Sequence, residues 1–229
     1  MANARISAWF FRRRSIPLPT WRGWMVLLVL AIIAGWLLPP RLFRVLAVSR
    51  PVGNGLLVIE GWVTDKTVKA GVTRYQSGTY THIVTTGVPI DVGSVLGSYG
   101  TTADVARATC LIFGIDSTQI SSAPVHGHVV RDRTLASAYA LRAWIRDQAP
   151  RTRSVDIVTQ GVHARRTWKT FAHVLGDSIK VGIIAERETE YTEHDWWKTS
   201  AGVKDVAGEV LGWLYVTLLP EQPPPEESP

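Results

Sequence analysis

Acidic residues are absent from the first 50 positions of this 229-residue chain, although eight arginines lie there. The rest of the chain holds 17 basic and 19 acidic side chains, a net charge of −2. The overall charge of +6 therefore comes from the N-terminal segment alone. Because a nucleic-acid-binding domain carries its positive charge as a patch on the folded surface, a mildly acidic body argues against DNA or RNA as the partner.

Cysteine and clustered histidine are also scarce. Cys110 is the one cysteine, so no disulfide can form within the chain. Its apolar neighbours on a predicted helix favour a buried side chain over a nucleophile. His126 and His128 have the spacing of metal ligands, but no second cluster accompanies them, and we predict no metal site.

Three motifs of common enzyme classes are missing. The chain has no phosphate-binding loop with its lysine, no nucleophile elbow, and no glycine-rich dinucleotide fingerprint after its first predicted strand. These absences argue against standard nucleotide hydrolysis, serine-hydrolase chemistry and NAD-dependent chemistry.

A long apolar run is present at residues 24–38, where no charged residue interrupts 15 positions. Alone it would rise only ~22 Å as a helix, short of the ~30 Å hydrocarbon core of a bilayer. Extension back to Trp21 adds a turn, because Arg22 can reach the headgroups with its charged end. We predict a transmembrane anchor over residues 21–40, with Pro39-Pro40 ending the helix.

The arginines indicate the orientation of that anchor. Five of them precede the apolar run and three follow it, which favours a cytoplasmic N-terminus. A cleaved signal peptide is the alternative, although no small-x-small cleavage site follows the run. We expect residues 1–20 to form a basic segment that contacts lipid, residues 41–55 to form a linker, and the remaining domain to lie outside the cytoplasmic membrane.

Short β-rich runs alternate with amphipathic helical stretches over residues 56–219. This alternation predicts an α/β domain with a Rossmann-like, doubly wound, mainly parallel five-stranded sheet and helices on both faces. The predicted strands are 56–60, 82–86, 119–123, 155–160 and 180–184. The predicted helices begin at Thr64, at Thr101 or Thr102, and at Arg131, His163 and Ser200. The acidic, proline-rich tail 220–229 is predicted to be disordered.

The last predicted helix carries an apolar stripe at helical spacing. The stripe consists of Val203, Val206, Ala207, Val210, Leu211 and Leu214. Such a stripe predicts packing onto the sheet rather than lying on a membrane.

The junctions between strands and helices nominate the candidate site. In an open parallel sheet, ligands bind beyond the carboxyl ends of the strands, where helix N-termini present N–H groups to anions. The candidate ligand-binding and catalytic residues at these junctions are Glu60, Gly61, Thr86, Gly87, Arg133, Thr134, Gly161, His163 and Arg166.

Four junction segments, in this order, resemble the SanA/ElyC/YdcF family. They are LLVIEGWV at 56–63, YTHIVTTGVP at 80–89, RDRTLASAYALRAWI at 131–145 and IVTQGVHARRTWKTF at 157–171. The resemblance covers about residues 56–219 and implies a Rossmann-like fold. For the membrane-anchored branch it implies a role in bacterial envelope integrity and peptidoglycan precursor metabolism. From a soluble branch it implies S-adenosylmethionine as a cofactor, and the residues themselves point to none.

The resemblance holds at some positions and fails at others. The family's serine or threonine and glycine after the second strand match Thr86 and Gly87, and the histidine and arginine opening its fourth helix match His163 and Arg166. Of the family's Asn-Thr-x-x-Asn pattern at the third helix only the threonine remains, and a Glu-Gly pair replaces its glycine pair after the first strand.

These residues suggest specific roles. His163 is the candidate general base, and Arg166 is a candidate anion clamp. Glu60 is either a second catalytic group or half of a structural ion pair, because an unpaired buried carboxylate is costly. Thr134 either binds an anion or caps its helix.

We therefore expect a bacterial inner-membrane protein that binds an anionic envelope or peptidoglycan-related metabolite, with or without processing it. The ligand would be a small molecule or a lipid-linked precursor. Two alternatives stay open: a noncatalytic envelope factor that acts through protein partners, and a cytoplasm-facing binder of S-adenosylmethionine or a nucleotide-like ligand.

Overall fold

The computed structural model describes residues 18–90, 95–127, 129 and 131–219. The chain divides into two compact units, Met1–Leu38 and Pro39–Pro229. Most of the predicted basic segment, His128 and the predicted disordered tail lie outside the described residues.

Helix α1 spans Trp21–Leu46. Its 26 residues correspond to about 39 Å at ~1.5 Å per residue. The mean hydropathy of its most apolar window is 2.1. The helix is therefore long and apolar enough to cross a membrane, as a signal sequence would also be.

The prediction that Pro39-Pro40 ends this helix is wrong, because both prolines lie inside α1. Prolines in a helix interior cannot donate the backbone hydrogen bonds of that turn. The last turn compensates by packing within the second unit, where Leu46 is fully buried beside Val162 and Val206. Part of the predicted linker is consequently helical.

Five strands form one sheet in the order β3-β2-β1-β4-β5. Every neighbouring pair is parallel. The strands are β1 Gly55–Glu60, β2 Tyr80–Gly87, β3 Ile120–Pro124, β4 Ser154–Gln160 and β5 Lys180–Glu186. The predicted five-stranded parallel sheet is confirmed.

Helices cover both faces of this sheet. They are α2 Asp65–Gln76, α3 Thr102–Ile112, α4 Arg133–Gln148, α5 Ala164–Leu175 and α6 Ser200–Leu218. On one face, Val68 of α2 and Cys110 of α3 share a core with Leu57. On the other, Phe171 of α5 and residues of α4 share a core with Val58. The domain is therefore doubly wound, as predicted.

Local capping explains several helix boundaries. Thr101 Oγ1 accepts a hydrogen bond from the N–H of Asp104 at 3.2 Å and begins α3. Thr199 Oγ1 does the same for the N–H of Gly202 at 3.0 Å and begins α6. Thr64 occupies the position before α2, but its side chain makes no capping hydrogen bond.

A buried carboxylate ties the chain after α1 to the sheet. Asp156 on β4 is fully buried and accepts hydrogen bonds from Val52 N at 2.7 Å, Gly53 N at 2.8 Å and the Tyr80 hydroxyl at 2.8 Å. Arg50 adds an isolated antiparallel bridge to β5. The linker is therefore an integral part of the domain.

The prediction that the apolar stripe of α6 packs onto the sheet is wrong, because Val206 of the stripe is buried against Leu46 and Val162 and three other residues are largely exposed. Val206 is 1% exposed, whereas Val203, Leu211 and Leu214 are 45%, 68% and 39% exposed. The helix packs on α5 and on the turn at 161–163 rather than on the sheet. Because Glu209 of α6 lines a cleft at the strand ends, this helix closes an end of the sheet and not a face.

The strand order positions the candidate site. From β1 the chain proceeds outward to β2 and β3, then crosses to β4 and continues to β5. β1 and β4 therefore form the topological switch point, where open α/β sheets bind ligands. Glu60 ends β1 and Gln160 ends β4, so these two side chains mark the crevice.

Candidate functional site

A cleft of about 740 Å³ opens at the carboxyl ends of the central strands. Its volume falls within the ~300–1,000 Å³ of typical ligand pockets. Six of the nine predicted site residues line it: Glu60, Gly87, Arg133, Thr134, His163 and Arg166. The fold thus brings together in one cleft six side chains that are spread over residues 60–166 of the sequence.

The other three predicted residues do not line the cleft but are next in sequence to residues that do. Gly61 donates its N–H to Thr86 O at 2.6 Å, and a Cβ at Gly61 would lie 2.8 Å from the backbone nitrogen of Ala103. Thr86 is 1% exposed, and its hydroxyl has no hydrogen-bond partner among the residues that the structure describes. Gly161 has φ +48°, and a Cβ there would meet the Glu188 side chain.

His163 lies at the centre of the cleft. Its Nδ1 is 2.8 Å from Glu209 Oε1, and its Nε2 is 3.5 Å from Thr134 Oγ1 and 3.9 Å from Glu60 Oε1. The Trp62 ring meets the imidazole edge-on at 4.7 Å between centroids. Two groups contact Nδ1, Glu209 Oε1 at 2.8 Å and Arg166 Nη2 at 3.0 Å. A carboxylate only accepts hydrogen bonds, so the shorter contact assigns a hydrogen to Nδ1, and in that tautomer a neutral ring has its lone pair on Nε2, toward Thr134.

Arg166 holds Glu209 in place. Its Nε donates to Oε2 and its Nη2 to Oε1, both at 2.8 Å, which is the bidentate geometry that suits a guanidinium and a carboxylate. A Cβ at Gly212 would lie 2.9 Å from Arg166 Nε, so the absence of a side chain there makes room for the arginine. The fork of Arg166 is therefore engaged by Glu209 rather than open to a ligand anion.

The two charges support each other against burial. Burial alone would raise the pKa of Glu209, but hydrogen bonds from Arg166 and His163 outweigh it and lower the pKa to about 2. Burial likewise opposes the charge of Arg166, yet the hydrogen bond and charge of Glu209 raise the pKa of Arg166 above its ordinary value. Both groups are ionised at neutral pH.

Glu60 is buried at 2% exposure and lines the cleft floor. Thr167 donates its hydroxyl to Oε2 at 3.3 Å. The nearest basic group is the imidazole of His163, at 3.9 Å. Glu60 was predicted to be either a second catalytic group or half of a structural ion pair; the structure places it in the cleft with a long contact to His163.

Sequence reasoning missed the acidic wall opposite α4. Glu188, Glu190 and Asp205 line the cleft together with Tyr191. Gln160 donates to Glu188 at 2.7 Å, and burial raises the pKa of that carboxyl. Glu209 was missed as well. The available signal was the four-residue spacing of Asp205 and Glu209, which places both on one face of α6.

The rim at the start of α4 is basic. Arg131 and Arg133 are exposed and line the cleft. Neither guanidinium forms an ion pair with any residue in the described ranges. Asp132 lies between them in the left-handed conformation at φ +57°, and its side chain does not cap the helix. The first N–H groups of α4 have no partner within the helix.

The cleft as a whole is more acidic than predicted. Its carboxylates are Glu60, Asp132, Glu188, Glu190, Asp205 and Glu209, and its guanidinium groups are Arg131, Arg133 and Arg166. Since Arg166 and Glu209 neutralise each other, the positive charge that can meet a ligand lies at the α4 rim. The opposite wall offers acceptors instead.

No protein-family model matches this chain, and no curated protein matches it. The resemblance to the SanA/ElyC/YdcF family therefore stays a prediction that rests on four junction segments.

Two further predictions concern residues outside the cleft. Cys110 is fully buried, as predicted, and burial raises the pKa of its thiol to about 12. His126 is exposed. Within the part of the chain that the structure describes, no group of three or more histidine, cysteine or acidic side chains is arranged to hold a metal ion.

Proposed function

We propose that this protein is a single-pass membrane protein whose α/β domain binds an anionic envelope metabolite in the cleft at the switch point. The observation that carries the proposal is the pair of exposed arginines, Arg131 and Arg133, at the start of α4. They border a cleft whose floor holds His163 between two carboxylates.

Three features of the rim favour an anion. Arg131 and Arg133 supply two positive charges, and guanidinium groups bind phosphate or carboxylate through paired hydrogen bonds. The free N–H groups of α4 add donors, and the helix dipole adds a partial positive charge at the same end. Asp132 offsets part of this charge, but the two guanidinium groups can each pair with an oxygen of one phosphate monoester.

The opposite wall indicates what the rest of the ligand is like. Glu188, Glu190 and Asp205 accept hydrogen bonds, and Trp62 presents a half-exposed ring beside His163. A ligand with several hydroxyl groups would donate to these carboxylates and lay its ring against the tryptophan. A sugar phosphate combines an anionic group with a hydroxylated ring, and a lipid-linked precursor would carry the same sugar phosphate.

Catalysis would require a base near the bound ligand, and His163 meets that requirement. Its Nδ1 is oriented by Glu209, and its Nε2 faces the cleft with Thr134 and Glu60 nearby. A neutral imidazole held this way can accept a proton from a reacting hydroxyl or water.

The membrane part of the proposal rests on the length and hydropathy of α1 and on the distribution of arginines around the apolar run. Fusing a reporter enzyme that is active only outside the cytoplasm to the C-terminus tests it. We expect the reporter fused to the full chain to be active. If instead only a reporter that works in the cytoplasm is active, the topology is the opposite of the proposed one.

Binding is tested on the full chain in detergent by thermal shift. We expect N-acetylglucosamine 1-phosphate to raise the melting temperature and unphosphorylated N-acetylglucosamine to have no effect at the same concentration, since a ligand that binds the folded state stabilises it by RT ln(1 + [L]/Kd). The double variant Arg131→Ala/Arg133→Ala should lose the shift. Arg151→Ala is the matched control, because this exposed arginine lies in the groove at the opposite strand ends.

Other outcomes point elsewhere. If the control variant and the double variant shift equally, the anion does not bind at the α4 rim. If no phosphate compound shifts the protein, a noncatalytic factor acting through protein partners becomes the better account. A shift with S-adenosylmethionine alone would favour the cofactor-binding alternative, in which the acidic wall would balance the sulfonium charge.

A further inference from the structure

Three side chains in the cleft form a chain of contacts that extends beyond ligand binding. Thr134 Oγ1 lies 3.5 Å from Nε2 of His163, and Nδ1 of the same ring lies 2.8 Å from Glu209 Oε1. The first distance is at the outer limit of a hydrogen bond, but nucleophile and base in enzymes are often this loosely spaced before a substrate is bound. The order is hydroxyl, imidazole, carboxylate.

The imidazole in this chain is held on several sides. Glu209 fixes Nδ1 and is itself gripped bidentately by Arg166, while Trp62 packs edge-on against the ring. His163 is partly buried, with 12% of its side chain exposed. The contact with Glu209 favours the tautomer with a hydrogen on Nδ1, the neighbouring side chains fix the ring plane, and the Thr134 hydroxyl lies within reach of Nε2.

We infer that Thr134 acts as nucleophile and His163 as general base in an acyl-transfer reaction, with the Glu209 carboxylate orienting the base. This inference rests on ligand binding in the proposed cleft. Thr134 is the second residue of α4 and lines the cleft. Its helix start supplies free N–H groups, the class of donor that stabilises a developing oxyanion.

Electrostatics favours an acyl over a phosphoryl group at the reacting position. The Glu60 carboxylate lies 3.9 Å from Nε2 and is buried. It would repel a phosphate dianion brought to Thr134, because charges interact strongly at low dielectric. A carbonyl compound is neutral when it binds, and the single negative charge of its tetrahedral intermediate forms beside the free N–H groups of α4. The substrate class is therefore an ester or amide whose anionic end reaches Arg131 and Arg133.

The reaction balances without any further co-reactant than water. Thr134 Oγ1 attacks the carbonyl carbon and gives its proton to Nε2 of His163. The tetrahedral intermediate expels the alcohol or amine, which takes that proton, and an acyl-threonine remains. Water then attacks the acyl carbon and gives a proton to Nε2, and Thr134 leaves with it as the carboxylic acid is released.

A fluorophosphonate tests the nucleophile on the full chain in detergent. This uncharged reagent would form an Oγ–P bond at Thr134 and release fluoride. Trypsin cleavage after Arg133 gives the peptide 134–142, in which fragment masses distinguish Thr134 from Ser137. Thr134→Ser should keep the label, Thr134→Val should lose it, and Ser137→Ala is the matched control that should keep it. We expect His163→Ala to slow labelling by about 10²–10⁴-fold.

The wild-type adduct alone is decisive. No adduct under conditions that fully label a serine hydrolase, or an adduct on any residue other than Thr134, would overturn the triad. Failure here is distinguishable from failure of the proposed function. If the protein binds N-acetylglucosamine 1-phosphate but takes no label, only the assignment of the nucleophile is refuted. If it is labelled but binds no phosphate, only the proposed anion site is refuted.

Discussion

The pair formed by Glu209 and Arg166 makes a quantitative prediction about stability. The pKa of Glu209 falls from an ordinary 4.5 to about 2 in the folded protein. At about 1.4 kcal/mol per pH unit, this shift corresponds to about 3 kcal/mol of free energy of unfolding. The carboxylate side chain is only 14% exposed, so solvent screening removes little of it. Breaking a buried pair generally costs a similar amount.

The perturbation is Glu209→Gln in the full chain, followed by urea unfolding in detergent. We expect a loss of about 3 kcal/mol at pH 7. Glu193→Gln is the matched control. Its carboxylate pairs with Arg44 on the surface, where the two side chains are 33% and 62% exposed, and such pairs contribute ~0–1 kcal/mol.

The pH dependence provides a second readout. Because the folded pKa of Glu209 is lower than the unfolded one, its contribution is fully present above pH 4.5 and is lost as the pH falls through about 2. The difference between wild type and Glu209→Gln should therefore shrink to less than about half by pH 3. Equal stability of the two proteins at pH 7, or a difference that is the same at pH 7 and pH 3, would refute the reasoning.

Three further predictions concern the packing and stability of the α/β domain. Gly87→Ala should destabilise the fold by about 1–3 kcal/mol in a urea titration, because its Cβ would lie 2.5 Å from a backbone nitrogen at the start of α3. Gly97→Ala is the control and should be near neutral in the same titration, because a Cβ there would meet nothing within 4 Å. Asp156→Asn should cost about 1–3 kcal/mol by replacing an acceptor of three hydrogen bonds, and unchanged urea unfolding would contradict this. Cys110 should resist iodoacetamide at pH 8 in the folded protein and react fully in denaturant, since burial raises its pKa to about 12; rapid alkylation of the native protein would argue against the packing of α3.

Local patterns were sufficient to predict the strands and most helices. All five predicted strands are present, because short β-rich runs bounded by turns are typical of strands in a chain that alternates them with helices. The sheet order was not predicted from periodicity, since it depends on which strands meet after the chain crosses over. Once the strand order is known, the switch point lies between β1 and β4, and their last residues, Glu60 and Gln160, locate the crevice.

Tertiary contacts account for what the sequence did not predict. The helix continued past Pro39-Pro40 because the packing of Leu46 offsets the missing hydrogen bonds. The apolar stripe of α6 suggested packing on the sheet, yet this helix closes the strand ends, where its polar face meets the cleft. Glu209 was therefore not predicted as a site residue, although its carboxylate contacts the imidazole of His163.

The candidate site was predicted in outline for a simple reason. The carboxyl ends of parallel strands meet at one edge, so residues directly after each strand converge whatever the sheet order. Arg166 was predicted as an anion clamp from its type and position, but the structure pairs it with a carboxylate from a helix more than 40 residues later in the chain. Partners at such sequence separations leave no local signal.

Calorimetric titration of N-acetylglucosamine 1-phosphate into the full chain tests the central claim, that an anion binds at the α4 rim of the cleft, most directly. We predict one site whose affinity falls as salt is raised, since its charged contacts are exposed. The Arg131→Ala/Arg133→Ala variant should bind at least about tenfold more weakly, which corresponds to about 1.4 kcal/mol. Equal affinity of the variant and the wild type, or an affinity independent of salt, would contradict the account.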